Sequence, residues 1–357
     1  MRKFLTVLSI LVAVAVLNSL ALVPSAHAKS KTIVLKAAAM APRDMPVMKG
    51  FEEWGKEIEK LTNGKVKFEF YWGASLLKSA DALKGTGMGL ADVCIDVPAY
   101  HPADTPFGTI GELGFITSQV DAPARALSDL YESVPNFRNQ FDRHNLKIMF
   151  FVPFTPTILG LSNNQVKTLG DLKGKKIRAL GLLNQVIAKL GGTPVAIPVP
   201  EVYESLSRGV IQGFTGFPLN GVKGFKLQEV AKYYLDFGYG NYVTEFIAFN
   251  KDKWEGLPSD IKDTIEKVNK RAIDIYTALY AKEEKKYVEP LIEAGCDFYT
   301  LPKAEMEVWK NKVVPGLWNE WVEKNKRYGD SQAFFNKYME LVRKYEQSST
   351  YGNPFPK

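Results

Sequence analysis

From Lys31 onward, short apolar runs alternate with stretches in which apolar residues recur every three or four positions, the α/β signature. Lys31–Ala39 reads as a strand. After Pro42 and Pro46, the residues Phe51, Trp54, Ile58 and Leu61 share one helical face, and Thr62-Asn63-Gly64 supplies the stop. Val66, Phe68 and Phe70 then alternate with Lys65, Lys67 and Glu69, so a strand covered on one face follows and stops at Trp72-Gly73. Ser79–Met88 reads as a short helix and Ala91–Val97 as a buried strand. This order implies parallel pairing through crossover helices.

The pattern begins again near Lys147. Ile148–Val152, Lys175–Leu180 and Thr193–Ile197 read as strands, Leu182–Leu190 and Pro200–Arg208 as helices, and Gly213–Gly216 as a Gly-rich turn. Phe246–Phe249 adds a strand. Ser259 caps a helix whose apolar positions Ile261, Ile265, Val268, Ala272, Ile275 and Leu279 persist toward Glu289, about 45 Å at ~1.5 Å per residue. That reach ties two lobes together. Residues 303–347 add two helices, and the tail after Ser348 reads as loose. The expected division is a leader at 1–28, one lobe from 29–152 with about 242–280, a second from 153–241 with about 281–330, and a C-terminal helix and tail at 331–357.

The leader has three zones: basic Arg2 and Lys3, an apolar run Phe4–Val23, and the small-x-small ending Ala26-His27-Ala28. It reads as a secretory signal peptide cut after Ala28, so the protein is expected to be exported; the competing reading is an uncleaved anchor, since the run approaches the ~20 residues that span a bilayer. Without it, 44 Lys+Arg face 39 Asp+Glu, a balance of +5. So mild an excess, spread along helices and turns, does not point to nucleic acid. Cys94 and Cys296 are expected as two separate thiols, though their pairing is open, and no spacing for a structural zinc exists. His101 and His144 read as surface or turn residues. Gly85-Thr86-Gly87-Met88-Gly89 closes a helix and precedes a strand, the reverse of a dinucleotide loop, so it reads as a helix end. With no nucleophile elbow or phosphate loop, no cofactor and no metal are expected.

Arg178 carries the most information. Near the carboxyl end of a strand in an open sheet it faces the usual ligand crevice, and its planar fork of donors matches a carboxylate. A surface ion pair is the alternative.

In order, Phe51-Glu52-Glu53-Trp54, Leu61-Thr62-Asn63-Gly64-Lys65-Val66, Gly73-Ala74-Ser75-Leu76, Gly89-Leu90-Ala91-Asp92-Val93 and Tyr100-His101-Pro102 resemble segments of the substrate-binding proteins of TRAP (tripartite ATP-independent periplasmic) transporters, the DctP family. The most specific match is Asp171-Leu172-Lys173-Gly174-Lys175-Lys176-Ile177-Arg178, followed by Leu190-Gly191-Gly192-Thr193-Pro194-Val195 and Glu201–Val210. The resemblance implies a two-lobed periplasmic binding protein with a ligand cleft between its lobes, a carboxylate ligand on Arg178, delivery to membrane subunits, and no catalysis. Two departures stand out. Many relatives carry a second arginine near the position of Ile158, where the neighbours Thr155 and Thr157 are uncharged, and Ile211-Gln212-Gly213-Phe214-Thr215-Gly216-Phe217 stands where the family usually reads Val-Asp-Gly-x-Glu. These changes imply a monocarboxylate with an apolar or aromatic body, walled by Phe214, Thr215, Phe217, Trp72, Tyr100, Phe154 and Val199. A monomer is expected. The alternatives are a secreted lyase or hydrolase using Glu201 or Asp96 as base, and a ligand-sensing module for a receptor.

Overall fold

The computed structural model describes residues 32–356, so the expected signal peptide and its cleavage after Ala28 lie outside the described residues. Two sheets organise the chain. The first has the order β2-β1-β3-β10-β4, built from β1 (Ile33–Ala39), β2 (Val66–Tyr71), β3 (Val93–Asp96), β4 (Leu146–Val152) and β10 (Glu245–Asn250). The second has the order β11-β9-β5-β8-β6-β7, built from β5 (Ile158–Leu161), β6 (Lys176–Ala179), β7 (Thr193–Ala196), β8 (Gly213–Phe217), β9 (Tyr233–Asp236) and β11 (Asp297–Thr300).

The parallel pairing expected from the strand–helix alternation holds for β1 with β3 and for β6 with β7 and β8, but not throughout. β10 runs antiparallel to both β3 and β4, and β5 antiparallel to β8 and β9, because the chain returns to each sheet from the other rather than through a local crossover helix. The expected turn Gly213–Gly216 is instead β8, in which Gly213 lets the Gly160 backbone approach: a Cβ there would lie 2.6 Å from the Gly160 carbonyl. The expected helix Ser79–Met88 is a 3-10 turn, Ser79–Asp81, followed by Ala82–Gly87. The tail is also corrected: Phe355 is buried and packs edge-on against Phe298, while the Tyr351 hydroxyl meets that of Tyr287.

Ser259–Glu293 is a single helix of 35 residues, ~52 Å long. Its first half seats against Pro46–Leu61, where Gly50 permits contact: a Cβ on it would fall 2.3 Å from the Tyr276 ring. The indole of Trp54 donates to Asn269 Oδ1 at 3.0 Å across the same junction. Its second half buries Tyr287 and Leu291 in the core of the second sheet. Besides this helix, Pro153–Thr157 and Phe237–Thr244 carry the chain between the sheets.

A polar strut joins the two sides away from those crossings. Glu112, ending the turn Gly108–Glu112, accepts the Leu182 N–H at 2.8 Å just before helix Leu183–Leu190. Gly181 takes φ +56, and a Cβ there would strike Glu112 Oε2 at 1.9 Å, so only glycine admits the strut. Burial pushes the Glu112 carboxyl up to about 8, and its Oε1 has no partner among the described residues.

Candidate functional site

Between the sheets lies a cavity of about 70 Å³, and each segment joining them lends it a wall: Phe154 from the first, Tyr242 and Val243 from the second, Tyr280 from the long helix. Any movement about those segments changes the cavity. Most of the remaining lining is apolar, including Met40, Met45, Val97, Leu180, Val199, Phe217 and Phe225.

Arg178 is the only cation among the described residues of that lining, and it is 1% exposed. Its Nε donates to the Ile197 carbonyl at 2.8 Å and its Nη1 to the Thr215 carbonyl at 3.0 Å. The guanidinium lies 5.0 Å from the centre of the Phe217 ring. Nη2 has no partner, and among the described residues no carboxylate pairs with the group. Burial lowers the Arg178 pKa, which expresses the cost of holding an uncompensated charge away from water. In the same lining the Tyr100 hydroxyl, close enough to feel the charge of Arg178, is buried and likewise unpartnered among the described residues. A fixed cation with a spare donor, beside a spare hydroxyl, is chemically an anion receptor.

Gly216 keeps the guanidinium where it is. Its φ is +84, and a Cβ would lie 3.1 Å from both Arg178 Nη1 and the Tyr242 ring. Gly216→Ala is expected to weaken carboxylate binding about tenfold by displacing the fork, while costing ~1 kcal/mol of stability for the left-handed backbone. Titration calorimetry beside a melting curve checks this; unchanged affinity would separate Gly216 from the site.

The structure brings Arg178, Tyr100, Phe154, Val199 and Phe217 together around one space. It sends other expected walls elsewhere. Trp72, just past the edge strand β2, stacks on Phe70 at 4.9 Å and meets Phe51 edge-on, outside the lining. Phe214 points into the core behind β8, over Gly160 and against Tyr234. Thr215 spends its hydroxyl on the Ile158 carbonyl and serves Arg178 only through its backbone. Ile158 is buried in β5, and the Thr157 hydroxyl accepts the Gly216 N–H, so that region braces the floor. Neither candidate base reaches the cavity. Asp96 is buried against His101 at 2.8 Å, which also corrects the expected surface position of His101, and Glu201 is exposed. Cys94 and Cys296 are free thiols.

Sequence reasoning passed over Tyr242, Tyr280 and Glu245. The signal for Glu245 was a lone carboxylate heading the apolar run Phe246–Phe249; burial pushes it up to about 8, and its Oε2 is unpartnered. A larger cavity, about 400 Å³, lies below Glu112, but its acids Glu320 and Glu323 are solvent-exposed and paired with Lys189 and Lys326. Its cation, Lys324, is solvent-exposed, so among the described residues this cavity holds no buried cation of the Arg178 kind.

The family model of bacterial extracellular solute-binding proteins, family 7 (DctP), matches residues 37–325. The C4-dicarboxylate-binding periplasmic protein DctP of Rhodobacter capsulatus is 25% identical over 308 residues, covering 84% of this chain and 89% of its own. Among solved structures, a TRAP solute-binding protein from Rhodoferax ferrireducens with copurified benzoate superposes with a TM-score of 0.81 at 22% identity, covering 89% of this chain and all of that one. A marine-metagenome TRAP solute-binding protein, specific for aromatic acids and holding 3-hydroxybenzoate, gives 0.80 at 25% identity over 89% of this chain and all of that one.

Proposed function

Because the chain belongs to family 7 of the bacterial extracellular solute-binding proteins, the DctP family, and is a two-lobed transport binding protein rather than an enzyme, we propose that it captures a monocarboxylate with an apolar or aromatic body. It is exported to the periplasm, works as a monomer and delivers its ligand to the membrane subunits of a TRAP transporter. Its lobes are residues 29–152 with about 242–280, and 153–241 with about 281–330.

One observation carries the ligand class: among the described residues, the cavity offers a single guanidinium with a single free nitrogen. One cation matches one carboxylate. A second carboxylate would meet no counter-charge, and an unpaired buried charge costs several kcal/mol. Arg43 cannot supply it, since both its Nε and Nη2 are engaged by Glu52 at 2.9 and 2.6 Å. Lys176 stands exposed at the far end of β6. Apolar walls instead favour apolar ligand surface, at roughly 25 cal/mol per Å² removed from water. The benzoate and 3-hydroxybenzoate of the two solved relatives support this class, and the dicarboxylate of the Rhodobacter relative is the competing one. The cavity is about half the ~150 Å³ that accommodates benzene, so a ligand of that size or larger, aromatic or branched, requires the lobes to sit slightly further apart.

A thermal-shift screen of succinate, malate, glucuronate, branched 2-oxo acids and benzoates decides the matter, because the gain in melting temperature follows occupancy. The largest shifts are expected from monocarboxylates. A largest shift from succinate, malate or glucuronate would refute the single-cation argument.

A further inference from the structure

Glu245 is the one carboxyl in the lining of the ligand cavity among the described residues, and it enters from β10 of the first sheet, opposite Arg178 on β6 of the second. It is 5% exposed. Its Oε2 finds no hydrogen-bond partner, and no Lys, Arg or His pairs with the group among the described residues. The groups facing it do not relieve it. Asp96 on β3 adds a negative charge, itself occupied by His101 and the Val97 N–H. Tyr276 and Tyr280 of the long helix feel the charge of Glu245, yet Tyr280 donates to the Pro153 carbonyl and the Tyr276 hydroxyl is itself unpartnered. A buried polar atom left without a partner in a binding cavity calls for one from the ligand.

We propose that Glu245 is the second recognition group of this cavity, hydrogen-bonding a neutral oxygen function on the end of the ligand remote from its carboxylate, so that the ligand is a hydroxy- or oxo-substituted monocarboxylic acid. This rests on the reading of Arg178 as the partner of the carboxylate. Arg178 and Tyr100 take the charged end, and Glu245 reads the far end from the opposite sheet. The ligand thereby spans both lobes with a polar contact at each. Because burial pushes Glu245 up to about 8, it is a neutral acid at pH 7, able to donate to an oxo group or accept from a hydroxyl. In that state it adds no second negative charge beside an anionic ligand. A dicarboxylate would meet this carboxyl with a charge of the same sign whenever Glu245 ionises.

The test uses isosteric pairs, so that only the oxygen differs: 3-hydroxybenzoate against 3-methylbenzoate, and 4-hydroxybutanoate against pentanoate. Each is titrated calorimetrically into the wild type, Glu245→Gln, Glu245→Leu and Arg178→Ala at pH 6.5 and 9.5. The wild type at pH 6.5 is expected to favour the hydroxy member of at least one pair by tenfold or more. Glu245→Gln keeps most of that preference, Glu245→Leu loses it, and the wild type binds both members more weakly at pH 9.5 while Glu245→Gln does not. Binding that depends on Arg178 but is equal within threefold for both members of each pair would overturn the role of Glu245 alone. No binding of any acid to the wild type would overturn the carboxylate site and this inference together. Affinity raised by millimolar calcium in the wild type but not in Glu245→Gln would also overturn it, since the carboxyl would then act as an anionic cation ligand. The comparison of paired ligands on the wild type stands even if a variant fails to fold.

Discussion

Arg178→Ala is expected to weaken binding of a carboxylate ligand by at least ~2 kcal/mol, about thirtyfold, because the ligand's buried charge would lose its only counter-ion in the cavity. Arg178→Lys is expected to fall nearly as far. A lysine keeps the charge but cannot hold the Ile197 and Thr215 carbonyls while presenting a third nitrogen to the ligand, which is what the planar fork does. The protein's own stability should move differently. Removing an uncompensated buried guanidinium relieves a desolvation cost, so the melting temperature without ligand is expected to hold or rise in Arg178→Ala, against the loss of two hydrogen bonds to carbonyls. Calorimetry beside melting curves separates the two effects. Unchanged affinity in Arg178→Ala would remove the residue from the binding role, and a collapse of folding with it would make the residue structural.

The second large effect concerns pH. Glu112 normally titrates near 4.5, and burial pushes it up to about 8. The folded state therefore holds a proton that the unfolded chain releases, so stability is complete below pH 4.5 and declines as pH rises toward 8. The full interval corresponds to ~5 kcal/mol, several degrees of melting temperature for a chain of this size. Glu112→Gln keeps an oxygen to accept the Leu182 N–H and has no proton to lose. Its melting temperature at pH 9 is expected to exceed that of the wild type by about 5 °C, with the two curves converging near pH 4.5. Parallel curves across that range would show that Glu112 does not titrate with folding. Glu245 contributes a slope of the same sign, so the variant flattens the profile without levelling it.

Periodicity exposed the elements of the fold, and the peptide around Arg178 exposed the charged end of the site, because both are local. Phe51, Trp54 and Ile58 recur at helical spacing whatever packs on them, and a parallel strand ending in arginine aims at a crevice in any open sheet. Strand direction was not local. β10 and β5 look like any other apolar run, and only the return of the chain through Phe237–Thr244 and Pro153–Thr157 makes them antiparallel. The walls failed for a related reason. Phe214 and Phe217 are three residues apart on β8, where strict alternation would place them on opposite faces, but the left-handed Gly216 and the register shift beside it bring their rings into edge-to-face contact at 5.3 Å. Of the two, Phe217 reaches the cavity and Phe214 packs behind it, an outcome fixed by the other sheet. Tyr242 and Glu245 lie three residues apart in one stretch and Tyr280 far from both, and they reach the cavity of Arg178 only through tertiary packing.

The spare nitrogen on Arg178 has a consequence for how the molecule is read by others. A form shut around nothing would confine a naked positive charge and would be thermodynamically rare. Outline would thereby become a report of occupancy. A receiving membrane protein that recognises only the outer contour formed when the two lobes meet can sort loaded from empty carriers without touching the cargo, and empty carriers, however abundant, compete poorly for its docking surface.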